Sequence, residues 1–278
     1  MSFDNSHIRP IGVFDSGIGG LTVVKALQER LPNEHFLYFG DTAHLPYGDK
    51  SPELIRQYCS VITDFLLLNQ VKSVVVACNT ASAVAFEQIK NRCPSEIPVI
   101  EVITPAVDMA VKYSNSRRIG VIGTKTTILS HLYLRKILER VPEALVVEKA
   151  TPLLVPMIEE GWNNNKISRE IIEAYMSDTG FMHVDTLILG CTHYPLVKQA
   201  IENYFKTNDR KVTVIDSSLA IAETLAGLLE QNNLNNSHKH PDIQDKFFVS
   251  DITESFRDSA ALFFGDDVQL KKINLDFS

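Results

Sequence analysis

Short apolar runs rich in valine and isoleucine alternate along this chain with longer segments whose apolar residues recur at helical spacing. The runs predict strands at 11–14, 36–39, 73–77, 99–102, 118–122, 145–148, 186–189 and 212–215. The periodic segments predict helices at 21–31, 53–68, 82–92, 132–140, 168–177 and 196–205. Strand and helix in alternation specify parallel sheets, because a parallel pair needs a crossover and the crossover helix covers a sheet face. The strands are apolar throughout rather than alternating, as expected where both faces are buried. Residues 231–241 are polar and turn-rich and predict a surface loop, while 246–249 and 268–275 still read as strands. The tail therefore belongs to the fold.

The pattern also repeats. Ile11-Gly12-Val13 returns as Ile119-Gly120-Val121, and each is followed at a similar distance by a strand that ends in cysteine. The first is Val74-Val75-Val76-Ala77-Cys78, the second Leu187-Ile188-Leu189-Gly190-Cys191. Matched order and spacing predict an α/β protein of two pseudo-symmetric domains, each a mainly parallel sheet flanked by helices. The expected division puts residues 1–100 and 213–278 in one domain and 101–212 in the other. Open α/β sheets bind ligands at the carboxyl ends of their strands. Two cysteines at strand exits are therefore expected to face one cleft between the domains.

Composition narrows the classes. A chain of 278 residues suffices for two domains, and 45% hydrophobic with 22% charged residues is the balance of a globular protein. The net charge of −7 supplies no basic excess for nucleic acid or an anionic membrane surface. No apolar run approaches the roughly 18 residues of a membrane span. Residues 1–7 lack the cationic and apolar parts of a secretory leader, so a cytoplasmic location and reduced cysteines are expected. No CxxC pair supports a zinc ribbon or a redox motif. Cys59 lies within a helical pattern and Cys93 at the end of another, and both read as packing residues.

Cys78 and Cys191 read differently. Two thiols across a small cleft suit a reaction that takes a proton from one face of a carbon and returns one to the other. A thiol titrates near about 8.5, within reach of a neighbour's influence. Asp15-Ser16-Gly17-Ile18-Gly19-Gly20 leaves the first strand and opens a helix, where backbone N–H groups can meet an anion. It has neither the GxGxxG spacing nor a Walker lysine. Asn79-Thr80 and Thr192-His193 stand beside the cysteines and suit the charged groups of an amino acid. Cys191-x-His193 has no second ligand pair, so no metal is expected, and no lysine sits in a pyridoxal phosphate motif. On these residues a non-catalytic binder of a small anion stays open beside an enzyme.

Four motifs carry a resemblance. Gly12-Val13-Phe14-Asp15-Ser16-Gly17-Ile18-Gly19-Gly20, Gly40-Asp41 through Pro46-Tyr47-Gly48, Ala77-Cys78-Asn79-Thr80-Ala81-Ser82 and Gly190-Cys191-Thr192-His193-Tyr194-Pro195 resemble the signature segments of the glutamate racemase family. The likeness spans essentially the whole chain. It implies an isomerase that interconverts L- and D-glutamate without a cofactor and supplies D-glutamate for peptidoglycan. It further implies a homodimer whose partner is a small-molecule substrate, not nucleic acid or membrane. By position it implies Cys78 and Cys191 as acid/base thiols, with Asp15 and His193 as their polar partners. Asp15-Ser16, Tyr47-Gly48, Asn79-Thr80 and Thr192-His193 match the substrate-binding dipeptides. For L to D the resemblance makes Cys191 the base and Cys78 the donor. Glu159 resembles a further acidic site residue, with Glu160 beside it competing for the assignment; from the residues alone both read as a solvated helix face. A racemase acting on aspartate would share both cysteines. Thr126, Glu101 and Ala106 stand where glycines are frequent in the family, all expected in the second domain, and there local loop shape should differ.

Overall fold

Buried apolar strands with helices between them build two parallel sheets. The strands are β1 (Ile11–Asp15), β2 (Phe36–Gly40), β3 (Ser73–Val76), β4 (Val99–Glu101), β5 (Arg118–Gly123), β6 (Leu145–Ala150), β7 (Thr186–Gly190), β8 (Thr213–Asp216), β9 (Lys246–Val249) and β10 (Leu270–Lys272). The helices are α1 (Gly20–Arg30), α2 (Pro52–Leu68), α3 (Asn79–Arg92), α4 (Ile103–Tyr113), α5 (Lys125–Leu129), α6 (Leu132–Arg140), α7 (Leu154–Glu159), α8 (Lys166–Met176), α9 (Lys198–Thr207), α10 (Ser217–Gln231) and α11 (Glu254–Phe264). These come from a computed structural model describing residues 5–265 and 268–277. Residues 1–4, on which the expectation of no secretory leader partly rests, lie outside the described residues.

The first sheet has the order β10-β9-β2-β1-β3-β4 and the second β6-β5-β7-β8, every pairing parallel. The run β2-β1-β3-β4 and the run β6-β5-β7-β8 are the same arrangement, which is the repeat seen in the sequence. In each, the chain steps from the first strand to one side and later returns on the other. That reversal opens a crevice at the carboxyl ends of β1 and β3, and again at those of β5 and β7. Cys78 follows β3 and Cys191 follows β7, so each thiol stands at a reversal point.

Apolar layers cover both faces of both sheets. Helix α10 joins the two lobes: Ile221, Ala222, Leu225 and Leu229 pack into the first core, and Ala220 into the second. The 231–241 loop is pinned by a buried pair, Lys72 with Glu34, whose carboxylate also accepts the Asn236 amide at 2.8 Å. Lys72 Nζ reaches the Leu234 carbonyl at 2.6 Å as well.

Four expectations are corrected. The division before Thr213 would cut β8 from the sheet it pairs with, since Thr186 to Leu189 of β7 register against Thr213 to Asp216. Helix α3 starts at Asn79, not at 82, because the Cys78 thiol caps it by accepting the Ala81 amide at 3.4 Å. Helix α9 starts at Lys198, preceded by a single 3-10 turn over Tyr194–Val197. The expected strand 268–275 contracts to Leu270–Lys272.

Candidate active site

On the first side of the cleft, β1 delivers Asp15 and β3 delivers Cys78. The Asp15 carboxylate turns back onto the start of α1, where one oxygen accepts the Gly17 and Gly20 amides, each at 2.9 Å. The other accepts the Thr192 hydroxyl from the opposite lobe at 3.3 Å. Burial pushes the Asp15 carboxyl up, opposed by His193 and these hydrogen bonds. Cys78 Sγ lies 3.6 Å from Ser16 Oγ. Burial, and then the nearby Asp15, pushes the Cys78 thiol up to about 12, so at neutral pH it carries its proton.

On the second side, β7 delivers Cys191 and the turn after it His193. Cys191 Sγ is 3.7 Å from His193 Nδ1, and His193 Nε2 is 3.1 Å from Glu159 Oε1 at the end of α7. Burial alone would depress the His193 imidazole, but its bonds to Cys191 and Glu159 raise it to about 10. His193 is therefore an imidazolium at neutral pH. Helix geometry turns the Glu160 side chain away: it is exposed, while Glu159 is half-buried against His193. A histidine held protonated in the fold stabilises it fully below its ordinary 6.5, and that contribution is lost as pH rises through about 10. In Glu159→Gln, one of the groups holding the proton is gone. The alkaline fall of kcat/KM should move acid-ward by about one pH unit, checked by pH–rate profiles of both proteins.

The two sides enclose a cavity of about 310 Å³ with both thiols in its wall. Ser16, Asn79, Thr80, Thr192, His193 and Glu159 line it too. Tyr47 and Gly48 form part of the wall, but the Tyr47 hydroxyl points behind it, donating to Asp41 Oδ2 at 2.6 Å. Asp15 stands one layer back, with both oxygens engaged, and reaches the cavity through its contacts to Thr192 and its charge near Cys78. Cys59 lies in the apolar layer on the face of the first sheet opposite α10 and Cys93 packs at its margin, neither lining the cavity.

Thr124 and Thr127 were not anticipated. Thr80 Oγ1 is 3.0 Å from Thr124 Oγ1 and 3.3 Å from Thr127 Oγ1, a hydroxyl cluster across the lobes. The signal was the repeat itself, since Thr124 leaves β5 as Ser16 leaves β1. Of the departures from family glycines, Thr126 donates to the Gly48 carbonyl at 2.9 Å and helps close the lobes. Glu101 ends β4 of the first sheet rather than lying in the second lobe, and its carboxylate accepts the Thr104 amide at the start of α4. Ala106 is buried in α4.

Among the described residues, no group of three or more His, Cys, Asp or Glu is arranged to hold a metal. None of the described helices is long and apolar enough to cross a membrane.

Fold and site together define a two-lobed α/β enzyme with paired thiols in its interlobe cleft. A family model, Asp/Glu/hydantoin racemase, matches residues 11–225. A glutamate racemase of Syntrophus aciditrophicus is 42% identical over 265 residues, covering 95% of this chain and 96% of that protein. One from Neisseria meningitidis serogroup C is 43% identical over 269 residues, 96% of this chain and 97% of that protein. A crystal structure of glutamate racemase from Francisella tularensis in complex with D-glutamate superposes with a TM-score of 0.88 at 39% identity. That match covers 98% of this chain and 100% of the other. The chain belongs to the Asp/Glu/hydantoin racemase family and is an isomerase.

Proposed function

We propose that the substrate is glutamate and that the enzyme interconverts its enantiomers by two-thiol proton transfer without a cofactor. The observation that carries this reading is the placement of Cys78 and Cys191 at corresponding strand ends of two equivalent sheets, both open to one cavity. A single base would need no such duplication. In the L to D direction, Cys191 as thiolate takes the α-proton, and the electron pair is left on the α-carbon and its carboxylate. Cys78 then gives its S–H proton to the opposite face. D-Glutamate leaves an enzyme whose Cys191 is a thiol and Cys78 a thiolate, ready for the reverse reaction until protons re-equilibrate with water.

Two features support that assignment. Cys78 is held as a thiol, the form a donor needs, and His193 stands beside Cys191 as a group able to exchange a proton with it. The α-proton of an amino acid is weakly acidic, so developing charge must meet donors already in place. The hydroxyls of Thr80 and Thr124 stand in the cavity wall as such donors. Glutamate itself is supported by the named relatives. With that substrate goes the role implied by the resemblance: a cytoplasmic homodimer supplying D-glutamate for peptidoglycan.

The test is L-glutamate in heavy water, with L-aspartate in parallel, followed by proton NMR and chiral chromatography. D-Glutamate carrying deuterium at the α-carbon is expected. A binding protein would give neither isomer nor label, and an aspartate enzyme would label aspartate instead.

A further inference from the structure

The seam between the lobes carries an ion pair that the proton transfer does not use. Asp49 ends the turn Tyr47–Asp49 of the first lobe, and Lys125 is the first residue of α5 in the second. Lys125 Nζ is 3.1 Å from Asp49 Oδ1. Gly48, Asp49 and Lys125 line the cavity on one side and an outer groove of about 630 Å³ on the other, so the pair stands in the partition between them. The lobes touch closely there. A Cβ added at Gly48 would lie 2.7 Å from Thr124 Cβ, and Thr126 donates to the Gly48 carbonyl. The Lys125 and Asp49 side chains are nonetheless 55% and 58% exposed. A pair so open to water is held weakly and can trade partners with an anion from solution.

Charge decides which anion benefits. The chain carries −7 overall, so its mean field repels negative solutes. The outer groove runs against that sign, with Lys50 and Lys125 facing the single carboxylate of Asp49. Among the described residues of the cavity wall, the cations are Lys125 and His193. His193 is already engaged by Cys191 and Glu159. Lys125 is therefore the wall's one ammonium, and only the exposed Asp49 competes for it. An amino acid with a second carboxylate is a net anion at neutral pH, whereas one with an uncharged side chain is not.

We propose that Lys125 is the capture residue of the cleft, leaving Asp49 to take a carboxylate of an incoming dicarboxylic amino acid. That this amino acid is glutamate rests on the function proposed above. Lys125→Gln removes the ammonium and leaves Asp49 unpaired to repel the substrate. At low ionic strength kcat/KM for L-glutamate should fall about tenfold, carried by KM. The deficit should shrink to about twofold in about 0.5 M salt, where charges are screened beyond about 4 Å. Asp49→Asn should act in the opposite sense, raising kcat/KM about twofold by freeing the ammonium.

The deciding measurement is steady-state racemisation of L-glutamate by wild type, Lys125→Gln, Lys125→Arg and Asp49→Asn at low and high salt. Opposite effects of the two charge removals are expected, with Lys125→Arg recovering most of the loss. An ion pair that merely clasped the lobes would be broken equally from either side, so similar losses in Lys125→Gln and Asp49→Asn overturn the proposal. A wild-type KM in Lys125→Gln, a deficit that salt does not reduce, or a Lys125→Arg enzyme as impaired as Lys125→Gln overturns it too. KM does not depend on the folded fraction, so a partly unfolded variant still answers. A wild-type enzyme inactive on L-glutamate but active on L-aspartate fails the glutamate reading alone, and the same comparison on L-aspartate decides Lys125. Activity on neither dicarboxylate overturns both.

Discussion

Cys78→Ala and Cys191→Ala should each lower racemisation by about 10³-fold or more, and each should leave a different half of the reaction standing. The magnitude follows from removing a positioned acid or base, worth about 10² to 10⁴ in rate, where no other group is placed to substitute. In Cys78→Ala the base for L-glutamate remains. Deuterium should enter L-glutamate from heavy water while little D-glutamate forms. Cys191→Ala should do the converse, labelling D-glutamate alone. Neither change should unfold the protein. Cys78→Ala removes a weak cap on the Ala81 amide, costing about 1 kcal/mol or less, and Cys191→Ala leaves His193 its bond to Glu159. Thermal unfolding checks that point and enantiomer-resolved NMR the first. A variant racemising at the wild-type rate would end the two-thiol mechanism, and reversed labelling would invert the facial assignment.

The sequence carried the strand order further than single motifs could. Ile11-Gly12-Val13 and Ile119-Gly120-Val121 prove to be β1 and β5, the central strands at the two reversal points. Cys78 and Cys191 follow their partners β3 and β7 at the same edge. That much is local pattern plus repetition. What was not legible depends on contacts between distant segments. Glu159 ends α7 and Glu160 follows it, and only the packing of that helix beside the Tyr194 turn decides which one meets His193. Thr213 looks the same to its own neighbours whichever sheet it joins, so the lobe boundary needed the pairing with Thr186. Asn79-Thr80 resembled a turn because small polar residues favour turns, yet the Cys78 cap draws them into the first turn of α3.

Gly19→Ala should cost about 10²-fold in kcat/KM although it touches neither thiol. The backbone at Gly19 is ordinary right-handed helix, φ −58 and ψ −33, so glycine is not needed there for its conformational freedom. It is needed for space. A Cβ at this position would lie 2.5 Å from His193 Nδ1 and closer still to Thr192 Oγ1. Neither neighbour can yield without consequence. Thr192 Oγ1 donates to Asp15, and its carbonyl accepts the Thr22 hydroxyl at 2.9 Å; His193 is held between Cys191 and Glu159. Accommodating a methyl group displaces the Thr192-His193 turn by about an ångström, a misplacement that typically costs about 10²-fold. The same shift lengthens the His193 contact to Cys191, removing part of what holds its proton, so the alkaline limb should move acid-ward as in Glu159→Gln. The right-handed backbone at Gly19 accepts alanine without conformational strain, so the effect comes from the contacts of the added methyl group. A loss of activity far larger than the fall of a few degrees that about 1–3 kcal/mol of overpacking brings to the melting temperature is the expected pair of results. A Gly19→Ala enzyme with wild-type kcat/KM would mean that the turn carrying His193 is free to move, and that its close contact with the first lobe has no part in holding the site.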